Sequence, residues 1–459
     1  MKKDKVIVVG AGLAGSQAAL TLARAGVKVD LYDIKPGKMT DAHHSSDFAE
    51  LVCSNSLKSK RIASAAGLLK FEAKILGAEL LEIAECNSVE AGDALAVDRE
   101  LFSKSVTDII LNNPNINFIS EEIKDLPKDN LSVIATGPLT CDALMDSIRT
   151  VVGDSDLYFF DAAAPIISKE SIDLSKVFSA SRYKDTEENA DYLNCPFEKD
   201  EYINFYNELI GAEKVEVKDF EQAKLFNACM PIESIAKTGQ NSMRFGPLKP
   251  VGLIDPKTGI KPYACVQLRK EDQNGEMWNL VGFQTRLKFK EQQRVFRMIP
   301  GLESAEFYRY GVMHKNNFIN SPKLLSSDLS LNKRPNLYFA GQLTGMEGYV
   351  PAIVSGHYVA LNIINRINNY PILDLPDDTM FKSLLNYIGT INSNFQPMAA
   401  NFGLLRPLDE KVKDKKLRYR KLAERGIAQL VDYCKNISDK NYPIKDFLRT
   451  NLYEDILNI

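Results

Sequence analysis

Gly10, Gly12 and Gly15 stand in VIVVGAGLAGSQAALTLARAGVKVDLYD with the spacing G-x-G-x-x-G. That spacing suits phosphate binding. Gly10 permits a tight turn, Gly12 lets the backbone approach a pyrophosphate, and Gly15 lets the following helix lie against the preceding strand. Ala11, Leu13 and Ala14 complete the turn. The helix it opens offers free N–H groups and a positive dipole end to an anion. Asp33 closes the next apolar run, where a carboxylate accepts hydrogen bonds from ribose hydroxyls. A place at the extreme N-terminus of a long chain points to FAD rather than NAD.

Two cysteines could act as thiolates. Cys53 lies in LVCSNSLKSK, beside Ser54, Asn55 and Lys58, and a nearby cation favours the thiolate. Cys229 lies in LFNACMPIESIAKTG, ahead of a Met230–Pro231 turn and Glu233. A lone cysteine is more often a small buried hydrophobe. That reading is preferred for Cys86, Cys141, Cys195, Cys265 and Cys434.

These residues need elements to hold them. Val6–Val9 is a wholly apolar run, as in a strand buried on both faces. Ala14–Ala25 reads as a helix stopped at Gly26, and Val27–Tyr32 as a second strand. Glu50–Lys60 reads as a polar loop. Gly67–Ala84 and Val97–Asn112 have helical periodicity. Leu131–Gly137 is a strand ending in Thr136–Gly137, an A-T-G turn common in flavoproteins of the two-dinucleotide type. From about Ser168 to Asn317 short strand-like runs alternate with Pro, Gly and charged turns. Asn336–Ala340 restores a buried strand. GQLTGMEGYVPAIVSGHYVALNII then opens a second glycine-rich turn, with Gly341, Gly345, Glu347 and Gly348, into an apolar helix near Val350. Glu410–Cys434 reads as an amphipathic helix carrying a basic run that includes Lys415, Lys416 and Arg418.

Composition narrows the class. The chain has 459 residues, 45% hydrophobic and 25% charged, with a net charge of −3, which suits two or three soluble domains. No apolar run is long enough to span a membrane, and the short N-terminal run breaks at a glycine turn, unlike a signal peptide. Seven scattered cysteines and four histidines argue against a disulfide framework or a metal site and place the chain in a reducing cytoplasm. The charge balance is not that of a nucleic-acid binder, so contact with RNA would rest on local patches.

Several blocks then occur in one order: ELVCSNSLKS, CMPIE, FGPLKPVGL, PYACVQLR, NLVGFQT, RVFRMIPGL, YGVMHKNNFINSPKLL, FAGQLTGMEGY and QPMAANFGLLRPL. From about residue 4 to about residue 430 the chain resembles the folate- and FAD-dependent uracil-5-methyltransferases of the TrmFO type. The resemblance implies methylation of a uridine at C5 in RNA, usually in the tRNA T loop. Carbon would come from 5,10-methylenetetrahydrofolate and electrons from flavin reduced by NAD(P)H. Its two functional cysteines fall on Cys53 and Cys229.

That chemistry suits those residue types. C5 of uracil is a poor nucleophile until a thiolate adds at C6, and the C5 proton must later be removed. Cys229 is taken as the nucleophile and Cys53 as the base, with the exchanged roles left open. Gly10–Gly15, Asp33, Gly137, Gly341, Gly345, Glu347 and Gly348 are the candidate flavin residues. Lys58, Arg99, Arg269, Arg286, Arg294, Arg297 and His314 lie in or near the blocks as candidates for phosphate, folate or uracil. Lys415, Lys416 and Arg418 are candidates for RNA phosphate. The chain departs from the family pattern in two places: Asn227 and Ala228 replace a glutamate and a glycine before Cys229, and Pro351, Ala352, Ile353 and Val354 replace E-S-A-A after Val350.

The expected fold is α/β. A Rossmann-like FAD-binding domain of glutathione-reductase type would comprise residues 1–167 and 318–459, with a largely antiparallel α+β substrate or RNA domain, 168–317, inserted. T-loop uridine in tRNA is the first target and a uridine of 23S rRNA the alternative. An RNA-binding flavoprotein without methylation and a small-molecule flavin oxidoreductase are further readings.

Overall fold

The computed structural model describes residues 5–40, 43–52, 55–91, 93–153, 157–180, 192–215, 230–270, 275–392 and 395–453. They form two compact units, one of residues 1–159 with 316–459 and the other of residues 160–315.

The first unit is built on a six-stranded sheet. Its centre is β1 (Val6–Val9), whose residues are buried or nearly so on both faces, as an uninterrupted apolar run requires. The helix α1 (Leu13–Arg24) follows, then β2 (Val29–Asp33). β1 pairs in parallel with β2 on one side and with Ser132–Ile134 on the other. Outside these lie Ile116–Ser120, parallel to β2, and Arg334–Phe339, parallel to Ser132–Ile134. Ser330–Leu331 closes that edge antiparallel. The chain therefore leaves β1 in opposite directions across the sheet. The crevice at the carboxyl ends of β1 and Ser132–Ile134 is the switch point where doubly wound folds take ligands.

The second unit carries an antiparallel six-stranded sheet in the order Phe178–Ser179, Tyr192–Phe197, Ala264–Lys270, Met277–Leu280, Ile166–Ser168, Phe307–Arg309. Its core gathers Phe197, Tyr202, Phe205, Trp278, Phe283 and Phe296. The helix Lys199–Gly211 starts at a capping box in which Glu198 and Glu201 satisfy each other's backbone N–H groups.

Three local expectations change. The helix read over Gly67–Ala84 is two helices, Ala65–Ile75 and Glu79–Cys86. Gly77 lies between them at φ 86°, and a β-carbon there would stand 2.2 Å from the Phe447 carbonyl oxygen. Glu50–Lys60 is not all loop, because Ser56–Ser59 pairs antiparallel with Ala94–Val97 and buries Leu57. The C-terminal helix runs Lys415–Asp439, since Asp414 accepts the Leu417 N–H at 2.7 Å and caps it. Among the described residues no helix is long and apolar enough to cross a membrane.

Candidate active site

The first glycine turn is held from several sides. Gly10 has φ 102°, and a β-carbon there would lie 2.6 Å from the Ala135 carbonyl oxygen. Gly10 N–H donates to the Tyr32 carbonyl at 2.7 Å. At Gly15 a β-carbon would stand 1.7 Å from the Gly10 carbonyl oxygen, so α1 can close on the turn only with glycine there. Gly12 differs. Its φ is −74°, it makes no side-chain cap to α1, and a β-carbon on it would meet nothing within 4 Å. Gly137, at the end of the neighbouring strand, is equally open. An uncapped helix N-terminus beside two open glycines fits a pyrophosphate and the close backbone approach it needs.

Asp33 does more than stand ready for ribose hydroxyls. Its carboxylate accepts the Ala11 N–H at 2.6 Å and the Lys35 N–H at 2.9 Å. It therefore ties the turn to the end of β2. Lys35 is buried and its ammonium donates to the Asp47 carbonyl; burial lowers its pKa despite the Asp33, Glu50 and Asp47 carboxylates around it.

The second glycine loop comes to the same place. A β-carbon on Gly341 would stand 3.0 Å from the Ala14 β-carbon, and one on Gly356 would stand 2.0 Å from the Ala14 carbonyl oxygen. Gly341 N–H donates to the Ser355 hydroxyl at 2.8 Å. The helix Tyr349–Ile367 starts at Gly348 without a side-chain cap, and Pro351 falls in its first turn, where a missing N–H removes no helical bond. Within the loop, Glu347 has a buried carboxylate oxygen, Oε2, with no hydrogen-bond partner among the described residues.

The other candidates are spread out. Cys53 and Cys229 lie outside the described residues. Beside the first, Asn55 exchanges hydrogen bonds with Val97 and Arg99 reaches the Leu51 carbonyl at 3.5 Å. Beside the second, Met230 is exposed while Glu233 is buried, accepting from the Thr285 hydroxyl at 2.8 Å and the Arg286 N–H at 3.0 Å. Lys58 is exposed on Ser56–Ser59 with φ 67°. Arg286 belongs to the second unit, and its buried Nε has no partner among the described residues. His314 lies in the strand Val312–Ile319, its side chain outside the described positions. Lys415, Lys416 and Arg418 occupy the first turns of Lys415–Asp439. Arg294 and Arg297 are engaged structurally, the former with Glu208 and Glu291 and the latter with the Ala305 carbonyl.

Among the cysteines read as buried, Cys195, Cys265 and Cys434 are, whereas Cys86 is exposed at the end of its helix and Cys141 is half-buried at a helix start. Their helical surroundings leave those two side chains at a rim. One group went unread in the sequence. Lys70 is buried on the apolar face of Ala65–Ile75, and its ammonium donates to the Leu57 carbonyl at 2.6 Å and the Lys58 carbonyl at 3.4 Å. Burial, with Lys58 nearby, lowers its pKa to about 8. No periodicity marks a lysine that turns inward.

A family model described as Glucose inhibited division protein A matches residues 5–371. A Fusobacterium nucleatum protein named methylenetetrahydrofolate--tRNA-(uracil-5-)-methyltransferase TrmFO is 55% identical over 437 residues, covering 95% of this chain and 100% of its own length. The chain belongs to the TrmFO family. A Caldicellulosiruptor bescii protein of the same name is 51% identical over 438 residues, covering 95% of this chain and 99% of its own. Among solved structures, Aquifex aeolicus GidA is similar at 16% identity with a TM-score of 0.48, covering 95% of this chain and 76% of that one. In this TrmFO-family chain both glycine loops lie within one unit, at the switch point of its parallel sheet. Among the described residues no group of three or more His, Cys, Asp and Glu side chains could hold a metal ion.

Proposed function

We propose that the chain is an FAD enzyme that methylates C5 of the T-loop uridine of tRNA, with carbon from 5,10-methylenetetrahydrofolate and NAD(P)H as reductant. The observation that carries this reading is identity of 50% or more along nearly the whole chain to proteins whose name states the folate donor, the tRNA and the uracil C5 position. The convergence of two glycine loops on Ala14, with open backbone at Gly12 and Gly137, supports the flavin. Gly10–Gly15, Asp33 and Gly137 would hold its pyrophosphate and ribose; Gly341, Gly345, Glu347 and Gly348 would border its ring. When bound, the flavin and folate supply one carbon and the reducing equivalents.

The chain's own residues have the remaining tasks. The Cys229 thiolate adds to C6 of the uracil, which places negative charge at C5. Cys53 removes the C5 proton after the carbon is attached, and elimination of Cys229 restores the ring. Arg286, His314, Lys58 and the start of the helix Lys415–Asp439 supply cationic contacts to RNA or folate. On this reading the inserted unit is the substrate or RNA domain. The enzyme works in the cytoplasm on this reading.

Asn227 and Pro351, where the family pattern has glutamate, make the RNA target the point to test. Purified enzyme should methylate tRNA, and not 23S rRNA, from cells lacking this protein. Cys229→Ala should abolish methylation and leave FAD bound. Methylation confined to 23S rRNA would overturn the target while keeping the chemistry.

A further inference from the structure

Phe289 is 56% exposed, although its ring already lies on another. It opens the helix Phe289–Phe296 of the second unit and stacks on Tyr310, with ring centroids 4.6 Å apart and planes at 18°. Tyr310 stacks in turn on Phe307, at 5.2 Å and 13°. Tyr310 and Phe307 are half-buried. Hydrogen bonds fix these rings to the helix. The Gln293 amide donates to the Tyr310 hydroxyl. Gln292 accepts the Gly311 N–H at 2.8 Å, and its own amide donates to the Gly311 carbonyl at 2.7 Å. A lone exposed phenylalanine needs no explanation. Three near-parallel rings that reach the surface at Phe289 form a platform, on which a further flat ring can stack without new ordering of the protein.

The charge around the platform selects the kind of ring. Just before the helix, Leu287 lies opposite Lys214, and Val215 N–H donates to the Arg286 carbonyl at 2.8 Å. The carboxylates of this strip are engaged. Glu213 pairs with Lys288 at 2.7 Å, Glu208 and Glu291 pair with Arg294, and Glu233 accepts from the Thr285 hydroxyl and the Arg286 N–H. Cations are left over. Lys290 is exposed and pairs with none of the described residues, and the buried Arg286 Nε has no partner among them. Lys214 is close to both Lys237 and Arg286; burial first, and then the Lys237 ammonium, lower its pKa. An apolar protein partner would leave this charge unanswered. An unpaired nucleobase answers both features, since its ring stacks on the aromatic face and its phosphates meet the cations. A base inside a duplex hides its faces and cannot use the platform. Ile232, three residues after Cys229, donates its N–H to the Gln284 carbonyl at 2.8 Å, so the same strip carries the chain onward from Cys229.

We propose that Phe289 stacks an unpaired base of the RNA substrate that flanks the reacting uridine, with Lys290 and Arg286 on the adjoining phosphates. This rests on the RNA reading above. It makes Phe289 a positioning residue that favours looped RNA over duplex.

The test uses FAD-loaded full-length enzyme and two fluorescently labelled RNAs, a stem–loop of T-arm sequence and the same stem as a plain duplex, with anisotropy as the readout. Phe289→Ala should raise the Kd for the stem–loop about tenfold and change that for the duplex by no more than about twofold. Phe289→Leu should behave like Phe289→Ala, and Phe289→Trp should bind as tightly as the unaltered enzyme, because the stack needs a π-face and not apolar area alone. Lys290→Gln should make the salt dependence of stem–loop binding shallower by about 0.7 to 0.9. Melting temperature and FAD content of each variant report on folding. Stem–loop binding unchanged in Phe289→Ala, equal weakening of stem–loop and duplex, or full binding by Phe289→Leu would each overturn the proposal and leave the RNA reading standing. Unchanged RNA binding with a dimer converted to monomer in Phe289→Ala would also overturn it and make the platform a contact between two copies of the chain. Failure of the unaltered enzyme to bind either RNA would overturn both the proposal and the RNA reading.

Discussion

Gly356 and Ala14 meet backbone to backbone: a β-carbon on Gly356 would stand 2.0 Å from the Ala14 carbonyl oxygen. This approach locks α1 to the helix Tyr349–Ile367 and so sets the second glycine loop against the first. It is the fixed point on which a dinucleotide cradle made from both ends of the chain depends. Neither partner can yield by a rotamer change, because both atoms belong to helix backbone.

Gly356→Ala should therefore push the two helices apart. Overpacking of this kind costs about 1–3 kcal/mol. The expected outcome is a lower melting temperature together with less FAD retained through gel filtration. An unchanged melt would show that the helices are not locked there.

Gly12→Ala should have the opposite balance. Its φ is ordinary and the added carbon meets no protein atom, so stability should change by no more than about 0.5 kcal/mol. FAD affinity should fall, because the β-carbon occupies the side from which a pyrophosphate approaches. Gly15→Ala, by contrast, should disrupt the turn itself. Absorbance at 450 nm, roughly the flavin band, read against protein concentration and thermal melts on the same samples, separates the two effects.

His357 should make stability depend on acid. Its ring is fully buried, with Nε2 donating to the Leu76 carbonyl at 2.8 Å and Nδ1 2.8 Å from the Thr21 hydroxyl. Burial, with a smaller push from Arg24, lowers its pKa to about 4 from 6.5. The unfolded chain thus takes up its proton first. Stability should be full above pH 6.5, fall as the pH drops toward 4, and level off below. The loss is up to about 3 kcal/mol. Denaturant unfolding between pH 7.5 and 4 would measure it, and His357→Gln should flatten that part of the profile.

The basic run on Lys415–Asp439 should divide into structural and RNA-facing halves. Asp378 is buried and its carboxylate is held by Arg406 and Arg425, each at 3.0 Å, and by Gln429 at 2.8 Å. Lys421 pairs with Glu410 and Arg420 with Glu424. Arg425→Ala should cost stability, at about the lower end of 3–5 kcal/mol since Arg406 remains. Lys416→Glu should leave the melt unchanged and weaken RNA binding. The salt slope of that binding should become shallower by about 0.9 for each phosphate that is no longer neutralised. Filter binding across a salt series reads both.

Much of the cradle was legible because local rules dictate it. The four apolar residues of β1, the glycine spacing and Asp33 each carry their own physical reason, and β1 runs over Val6–Val9 as read. The return of the chain to the same sheet was legible in the apolar run before Gly341, which became Arg334–Phe339. What escaped depends on partners distant in sequence. Gly77 breaks a helix because the Phe447 carbonyl needs its space. Leu57 lies in a strand because Ala94–Val97 pairs with it. Nothing local marks Asn401 or Lys70; only tertiary packing buries one beside the segment bridged to the second glycine loop and turns the other inward.

The central claim is transfer of a folate carbon to C5 of a uridine. The direct measurement uses methylenetetrahydrofolate carrying carbon-13 in its methylene group, NAD(P)H, the enzyme, and tRNA from cells lacking this protein, followed by nucleoside mass spectrometry. The account predicts 5-methyluridine heavier by the labelled carbon. RNA in which no uridine gains the label at C5 would contradict it.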